Sequence, residues 1–284
     1  MIRQETLLRE VRALPTLSPS VARLQQVLRD PRSDARAVEA ALRLDPAMTG
    51  NVLRLANSAA VGLRRKVGDV REAATLLGTK AVFELATQAS FAGVIPDVLP
   101  GYQIDARAYW LHCAGVAVIS EELARVVRPA PAYLHTASLL HDVGKLVASL
   151  HLADRDVEIR RALADRTLAE AEVELLGMDH AELGAAVAAH WQLPDEIAAA
   201  IRWHHAPDRA SEAAQRLTDL VHLADGLAHS LGMGADVGEL QRTIQSSAVQ
   251  RLGIDVRHLE LVAAASLGRV MELQDTFTPA GGRR

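Results

Sequence analysis

Aromatic residues are scarce in this 284-residue chain, with three each of Trp, Tyr and Phe. Strand formers are few beside the abundant Ala, Leu, Val and Arg, which excludes an all-β sandwich and argues against a parallel-sheet nucleotide fold. The single cysteine, Cys113, excludes an internal disulfide framework and a thiolate zinc cluster. No run approaches the roughly 20 uninterrupted apolar residues that span a bilayer. The opening MIRQETLLRE is charged rather than the apolar core of a signal peptide. The expectation is therefore a soluble, cytoplasmic, all-α protein without a membrane partner, long enough to bury a core without staples.

The net charge of −4 is unevenly distributed. Residues 1–95 hold 14 Lys+Arg against 9 Asp+Glu, and the remainder 17 against 26. A basic N-terminal half could touch nucleic acid. Its arginines are scattered along amphipathic helices, however, which is the pattern of a solvated face, so nucleic acid is not the expected partner.

Helix signals recur along the chain. Ser18-Pro19, Asp45-Pro46, Asp34 and Asp69 each supply a capping side chain before an apolar-periodic segment, and Gly78 separates VREAATLLG from TKAVFELATQASFAGV. The helix pair around Gly78 has helix-turn-helix spacing, but any packed pair does, and core packing is the preferred reading. Residues 95–105, IPDVLPGYQID, carry two prolines and a glycine without periodicity and mark a connector. The expected organisation is an N-terminal helical subdomain over 1–95, a second over 106–275 and a flexible tail over 276–284. In the second, YWLHCAGVAVISEELARVV, YLHTASLLHDVGKLVASL and Ser211 to Leu231 are each expected to form one helix. The charged stretch from Asp154 to Leu175 is expected to be an exposed one.

His141 and Asp142 interrupt the apolar run ASLLHDVGKLV, where an ionised carboxylate must be paired or bound to metal. Lys145 follows on the same helical face, where it can hold a substrate phosphate or neutralise Asp142. Further potential ligands sit on separate apolar segments: His112, His180, His204, His205 and Asp225. If the helices converge, His112, His141, Asp142 and Asp225 make one ion site. His180, His204 and His205 then surround a second ion, bridged by Asp142. Nitrogen and oxygen ligands without thiolate suit divalent transition metals, iron or manganese first, zinc or nickel next, over magnesium or calcium. His222 is read as packing, with a hydrogen bond behind the ligands as an alternative, and His190 ranks behind His180. His135, His151, His229 and His258 carry no ligand signal. Trp110, Trp191 and Trp203 are core fillers or walls of the site, and Arg64-Arg65-Lys66 is read as a solvated loop first and as an anion or partner contact second.

The order H...HD...D, with HDVGK at His141 to Lys145, resembles the HD superfamily of metal-dependent phosphohydrolases. LPTLSPSVARLQQVLRD, LDPAMTGNVLRLANSAAVG and VREAATLLGTKAVFELA, with the later LGMDHAELGAAVAAHWQLPDEIAAAIRWHH, narrow the resemblance to the HDOD domain from about Leu14 to Leu231. That resemblance implies two packed helical subdomains and a role in bacterial signal transduction. Many HDOD domains have lost the metal ligands, whereas here His112, His141, Asp142, His180, His204, His205 and Asp225 match the ligand positions of the dinuclear HD-GYP branch. The Gly-Tyr-Pro signature that follows the paired histidines in that branch is replaced by Ala206-Pro207-Asp208-Arg209, so its cyclic di-GMP substrate does not carry over.

Two functions follow. The first is a regulatory output protein whose metal centre is structural or sensory and which binds a signalling protein, with a homodimer as a possible assembly. The second is a phosphohydrolase or phosphodiesterase acting on a nucleotide or cyclic dinucleotide, with Asp142 and Lys145 as its catalytic residues and a phosphate-containing ligand. A metal-free scaffold of satisfied core histidines is the plain alternative to both.

Overall fold

A computed structural model describes residues 3–233 and 244–273. It is helical nearly throughout, and its contacts divide the chain into two compact units. No helix among the described residues is long and apolar enough to cross a membrane.

The unit over residues 15–94 is built from short helices that start where the sequence caps them: α2 (Pro19–Arg29), α3 (Ala35–Leu42), α4 (Pro46–Ala56), α5 (Val70–Leu77) and α6 (Thr79–Ala92). Ser18, Asp34, Asp45 and Asp69 each accept a hydrogen bond from a first-turn backbone N–H. Gly78 holds φ at +89°, which lets α5 end and α6 begin on one residue. The buried faces contribute Val21, Leu24, Val38, Leu42, Val52, Phe83 and Phe91 to the core. Asn57, in the LANSA segment, staples the loop after α4 to that helix's end. Its amide donates to the Val67 carbonyl at 2.9 Å and accepts from the Val67 N–H at 2.7 Å.

Asp45 does more than cap α4. One oxygen accepts from the Met48 N–H, and the other from the Ser18 and Ser20 hydroxyls at 2.8 and 2.9 Å. Burial pushes this carboxyl up, but those bonds together outweigh it and hold the pKa below its ordinary 3.8. Its contribution is therefore present above pH 3.8 and lost as pH falls below it. Asp45→Ala should destabilise the protein by about 2 kcal/mol, read as a lower urea midpoint at neutral pH and a smaller difference from wild type in acid.

The other unit holds residues 1–14 and 95–271, so α1 (Gln4–Ala13) packs here, against α12 (His180–His190). The connector folds into a two-stranded antiparallel hairpin, Val98–Leu99 with Ile104–Asp105, around a fully buried Tyr102. α7 (Ala106–Val127) and α14 (Glu212–Ser230) are the long central helices, packed on each other and on α8 (Leu134–Leu140). α9 (Lys145–Leu152), α10 (Asp156–Ala162) and α11 (Leu168–Leu176) follow α8. α13 (Asp195–Trp203) lies between α12 and α14, and α15 (Ser246–Leu252) and α16 (Val256–Leu273) complete the described chain.

Two expectations change. The Asp154–Leu175 stretch forms two helices, and Glu172 within it is fully buried. The expected single helix through HDVGK is broken. Residues 141–144 form a tight turn between α8 and α9, with i→i−3 bonds such as Lys145 N–H to the Asp142 carbonyl at 2.9 Å. Close packing accompanies the break, because the start of α9 lies directly against α12 at Gly144. A Cβ there would stand 1.9 Å from the His180 carbonyl oxygen and 2.4 Å from the Gly184 nitrogen.

Candidate metal centre

Five segments of this unit deliver the histidines and carboxylates to one place: α7 (His112), the 141–144 turn (His141, Asp142), the first residue of α12 (His180), the end of α13 (His204, His205) and α14 (Asp225). His141, Asp142, His180 and His204 are fully buried, and His112 and Asp225 nearly so. The Tyr109 hydroxyl donates to the Asp142 carbonyl at 2.9 Å and fixes the backbone of the turn.

The candidate ligand atoms form two groups that meet at Asp142. In the first, His112 Nε2 lies 3.2 Å from His141 Nε2, 3.6 Å from Asp142 Oδ2 and 3.3 Å from Asp225 Oδ1. His141 Nε2 lies 3.5 and 3.6 Å from the same two oxygens. Ligands about 2.1 Å from a tetrahedral ion stand about 3.4 Å apart, so these spacings fit a single ion. In the second, Asp142 Oδ1 lies 3.3 Å from His180 Nε2 and 3.7 Å from His204 Nε2, and His180 Nε2 is 2.8 Å from His205 Nε2. Asp142 Oδ1 and His204 Nε2 make no hydrogen bond among the described residues although both are buried. Orphaned groups of this kind fit a bound cation.

The imidazoles are pre-oriented for that role. Nδ1 of His112, His141 and His204 each faces a backbone carbonyl, of Met233, Ser138 and Ile201 respectively, so each must carry the proton there. The Nε2 lone pairs then point inward, and those of His112 and His141 face each other across 3.2 Å, an arrangement that a cation between them relieves. Burial pushes His112 down to about 4 against the pull of Asp225, and burial with the neighbouring His141 holds His204 well below the usual range. Burial also opposes the charge on Asp142, but Lys145 and His141 outweigh it and keep the carboxylate ionised. Lys145 is itself buried, with Nζ 2.6 Å from Asp142 Oδ2. Of the two roles open to it in the sequence, this position matches neutralising and fixing Asp142.

Three contributors carry little or no sequence signal. Glu172 receives both the His180 backbone N–H, at 2.7 Å, and the ring Nδ1, at 2.6 Å. Burial disfavours charge on His180, but Glu172 and Asp142 prevail and push it up to about 10. Glu172→Gln should weaken metal binding in the second group about 10- to 100-fold, measured by metal titration, with the melting curve of the metal-free protein little changed. His222 donates through Nδ1 to the His204 carbonyl at 2.7 Å and accepts the Gln245 N–H at 2.8 Å, so it fixes the backbone behind His204. His229 stands 3.4 Å from Asp225 Oδ1. His190 joins none of these groups, and His135, His151 and His258 pair with Glu121, Glu10 and Asp255 elsewhere.

The centre opens on one side. His205 and Asp225 line a cleft of about 590 Å³ together with Arg202, Trp203, Arg209 and Glu182. Trp203 is in contact with two guanidinium groups, 4.3 Å to Arg202 and 4.5 Å to Arg209. Arg202 is neutralised by Glu182 and Asp179, whereas Arg209 makes no ion pair with a described carboxylate. Trp110 and Trp191 are buried in the core.

Helical architecture and a histidine–aspartate cluster together define an HD-type domain. Within that class the chain belongs to the HDOD domain family, whose profile matches residues 14–207. The structure is similar to that of a candidate phosphohydrolase from Shewanella amazonensis SB2B, with 28% identity, a TM-score of 0.75 and coverage of 96% of this chain and 98% of that one. It is also similar to an HDOD domain protein from Geobacter sulfurreducens, at 25% identity, a TM-score of 0.74 and coverage of 96% and 97%. A candidate signal transduction protein from Marinobacter aquaeolei VT8 shares the fold at 22% identity and a TM-score of 0.68, over 98% of this chain and 60% of that one. An uncharacterized protein of Treponema pallidum is 24% identical over 216 residues, which are 75% of this chain and 41% of that protein's length.

Proposed function

We propose that this HDOD protein is a signalling output protein whose centre holds two divalent transition metal ions, iron or manganese in preference to zinc or nickel, and hydrolyses a phosphoester. One observation carries the reading: five imidazoles and two carboxylates converge in one buried cluster that reaches a cleft at His205 and Asp225. Divalent ions bound there supply Lewis-acid charge and make water nucleophilic near neutral pH. His112, His141, Asp142 and Asp225 would hold one ion, and Asp142, His180, His204 and His205 the other. Lys145 keeps Asp142 ionised and fixed. Arg209, beside Trp203 and without a carboxylate partner among the described residues, is placed to steady an incoming phosphate. The near-complete burial of six of the seven ligands also supports a second reading, in which the ions are structural or sensory and a signalling protein or a second copy of the chain is the partner.

Metal-loaded protein tested on nucleotides, cyclic dinucleotides and simple phosphodiesters separates the two. Turnover that Asp142→Ala abolishes supports hydrolysis. Metal-loaded protein inert on the whole panel contradicts hydrolysis and favours the sensory reading.

A further inference from the structure

His229 is the one histidine near the centre to which neither the family order nor the apolar patterning assigns a role. It lies in the last turn of α14, four residues after Asp225, so the two side chains share one face of the helix. The ring is more than nine-tenths buried, yet neither Nδ1 nor Nε2 makes a hydrogen bond among the described residues. Buried imidazoles ordinarily satisfy at least one nitrogen, as His112, His141, His180, His204 and His222 all do here. His229 is also aimed at ligands. Nε2 stands 3.4 Å from Asp225 Oδ1, and its ring centroid lies 4.5 Å from that of His112. His112, Asp225 and His229 offer ligand atoms that all fall within 4.8 Å of one another. The 3.3 Å and 3.4 Å spacings of His112 and His229 from the same Asp225 oxygen are those of ligands around one ion.

We infer that His229 is an additional nitrogen ligand of the ion held by His112, His141, Asp142 and Asp225, raising that position from four protein ligands to five. The inference rests on the proposed metal centre and adds a residue outside the seven matched by the family order. Its chemical consequence is selectivity. A position with three imidazoles and two carboxylates suits a five- or six-coordinate ion such as iron(II), manganese(II) or cobalt(II), and departs from the four-coordinate geometry that zinc favours. Nothing here requires His229 to touch a substrate, since its role is to complete the coordination shell.

Cobalt(II) serves as the probe, because its visible absorption strengthens markedly on going from five or six ligands to four. Metal-free wild type, His229→Ala and His229→Gln are titrated with cobalt(II) alone, with circular dichroism confirming the fold of each. The glutamine variant keeps most of the side-chain volume and stands in if the alanine variant does not fold. Loss of the ligand should weaken cobalt binding at one position by tenfold or more and intensify the visible band. Free imidazole at millimolar concentration should restore both properties in His229→Ala, a rescue that a merely structural histidine would not show. Unchanged affinity and an unchanged band in the variants would overturn the assignment while leaving the metal centre in place. Wild type that takes up no cobalt would overturn both.

Discussion

Asp142→Ala should abolish metal uptake at both positions together, because its two oxygens face the two imidazole groups separately. Loss of a single shared ligand is expected to reduce affinity more than 100-fold at each position, well beyond the effect of removing a group behind the ligands. The substitution also removes the carboxylate that accepts the buried Lys145 ammonium at 2.6 Å, at a cost of about 3 kcal/mol. Asp142→Asn separates the effects, since it keeps the volume and an acceptor for Lys145 while removing the negative charge. Metal content after desalting and the melting temperature of the metal-free proteins are the readouts. Retention of one ion by Asp142→Ala would show that the groups do not share this residue.

Gly144→Ala should be the most damaging single-methyl change in the protein. The new Cβ would meet the His180 carbonyl oxygen at 1.9 Å and the Gly184 nitrogen at 2.4 Å, and both are backbone atoms that cannot swing aside. α9 and α12 must separate, at a cost of about 3 kcal/mol or more. Separation also draws His180 away from Asp142, so metal affinity in the second group falls with stability. A denaturation midpoint within error of wild type, with unchanged metal binding, would contradict this account of the turn. The glycine of HDVGK is thus a packing requirement rather than a conformational one, since its φ of −65° is open to any residue.

Much of this was legible in the sequence, for local reasons. Ser18, Asp34, Asp45 and Asp69 announce helix starts because capping is chemistry between near neighbours. His141, Asp142 and Asp225 stand out because polar groups in apolar runs demand compensation. The features that stayed hidden are set by distant contacts. The break at residues 141–144 carries no proline and follows the approach of α12 to Gly144. Glu172 lies in a stretch whose alternating charges read as solvated, yet it is turned inward by the backbone N–H and ring of His180. His229 lies in the polar-looking last turn of α14, and only the return of α7 alongside brings His112 to it. The hairpin at 98–105 is too short for alternation to reveal, and the buried Tyr102 ring anchors it: its hydroxyl donates to Glu172 at 2.5 Å, tying the connector to the support of His180.

A cation bound among these converging imidazoles and carboxylates can be counted directly. Elemental analysis of the 284-residue protein, purified without added metal or chelator and then again after loading with iron(II) or manganese(II), counts ions per chain. About two transition-metal ions per chain are expected after loading. Protein that stays metal-free after exposure to iron(II), manganese(II), zinc(II) and nickel(II), with an unchanged melting temperature, would contradict it.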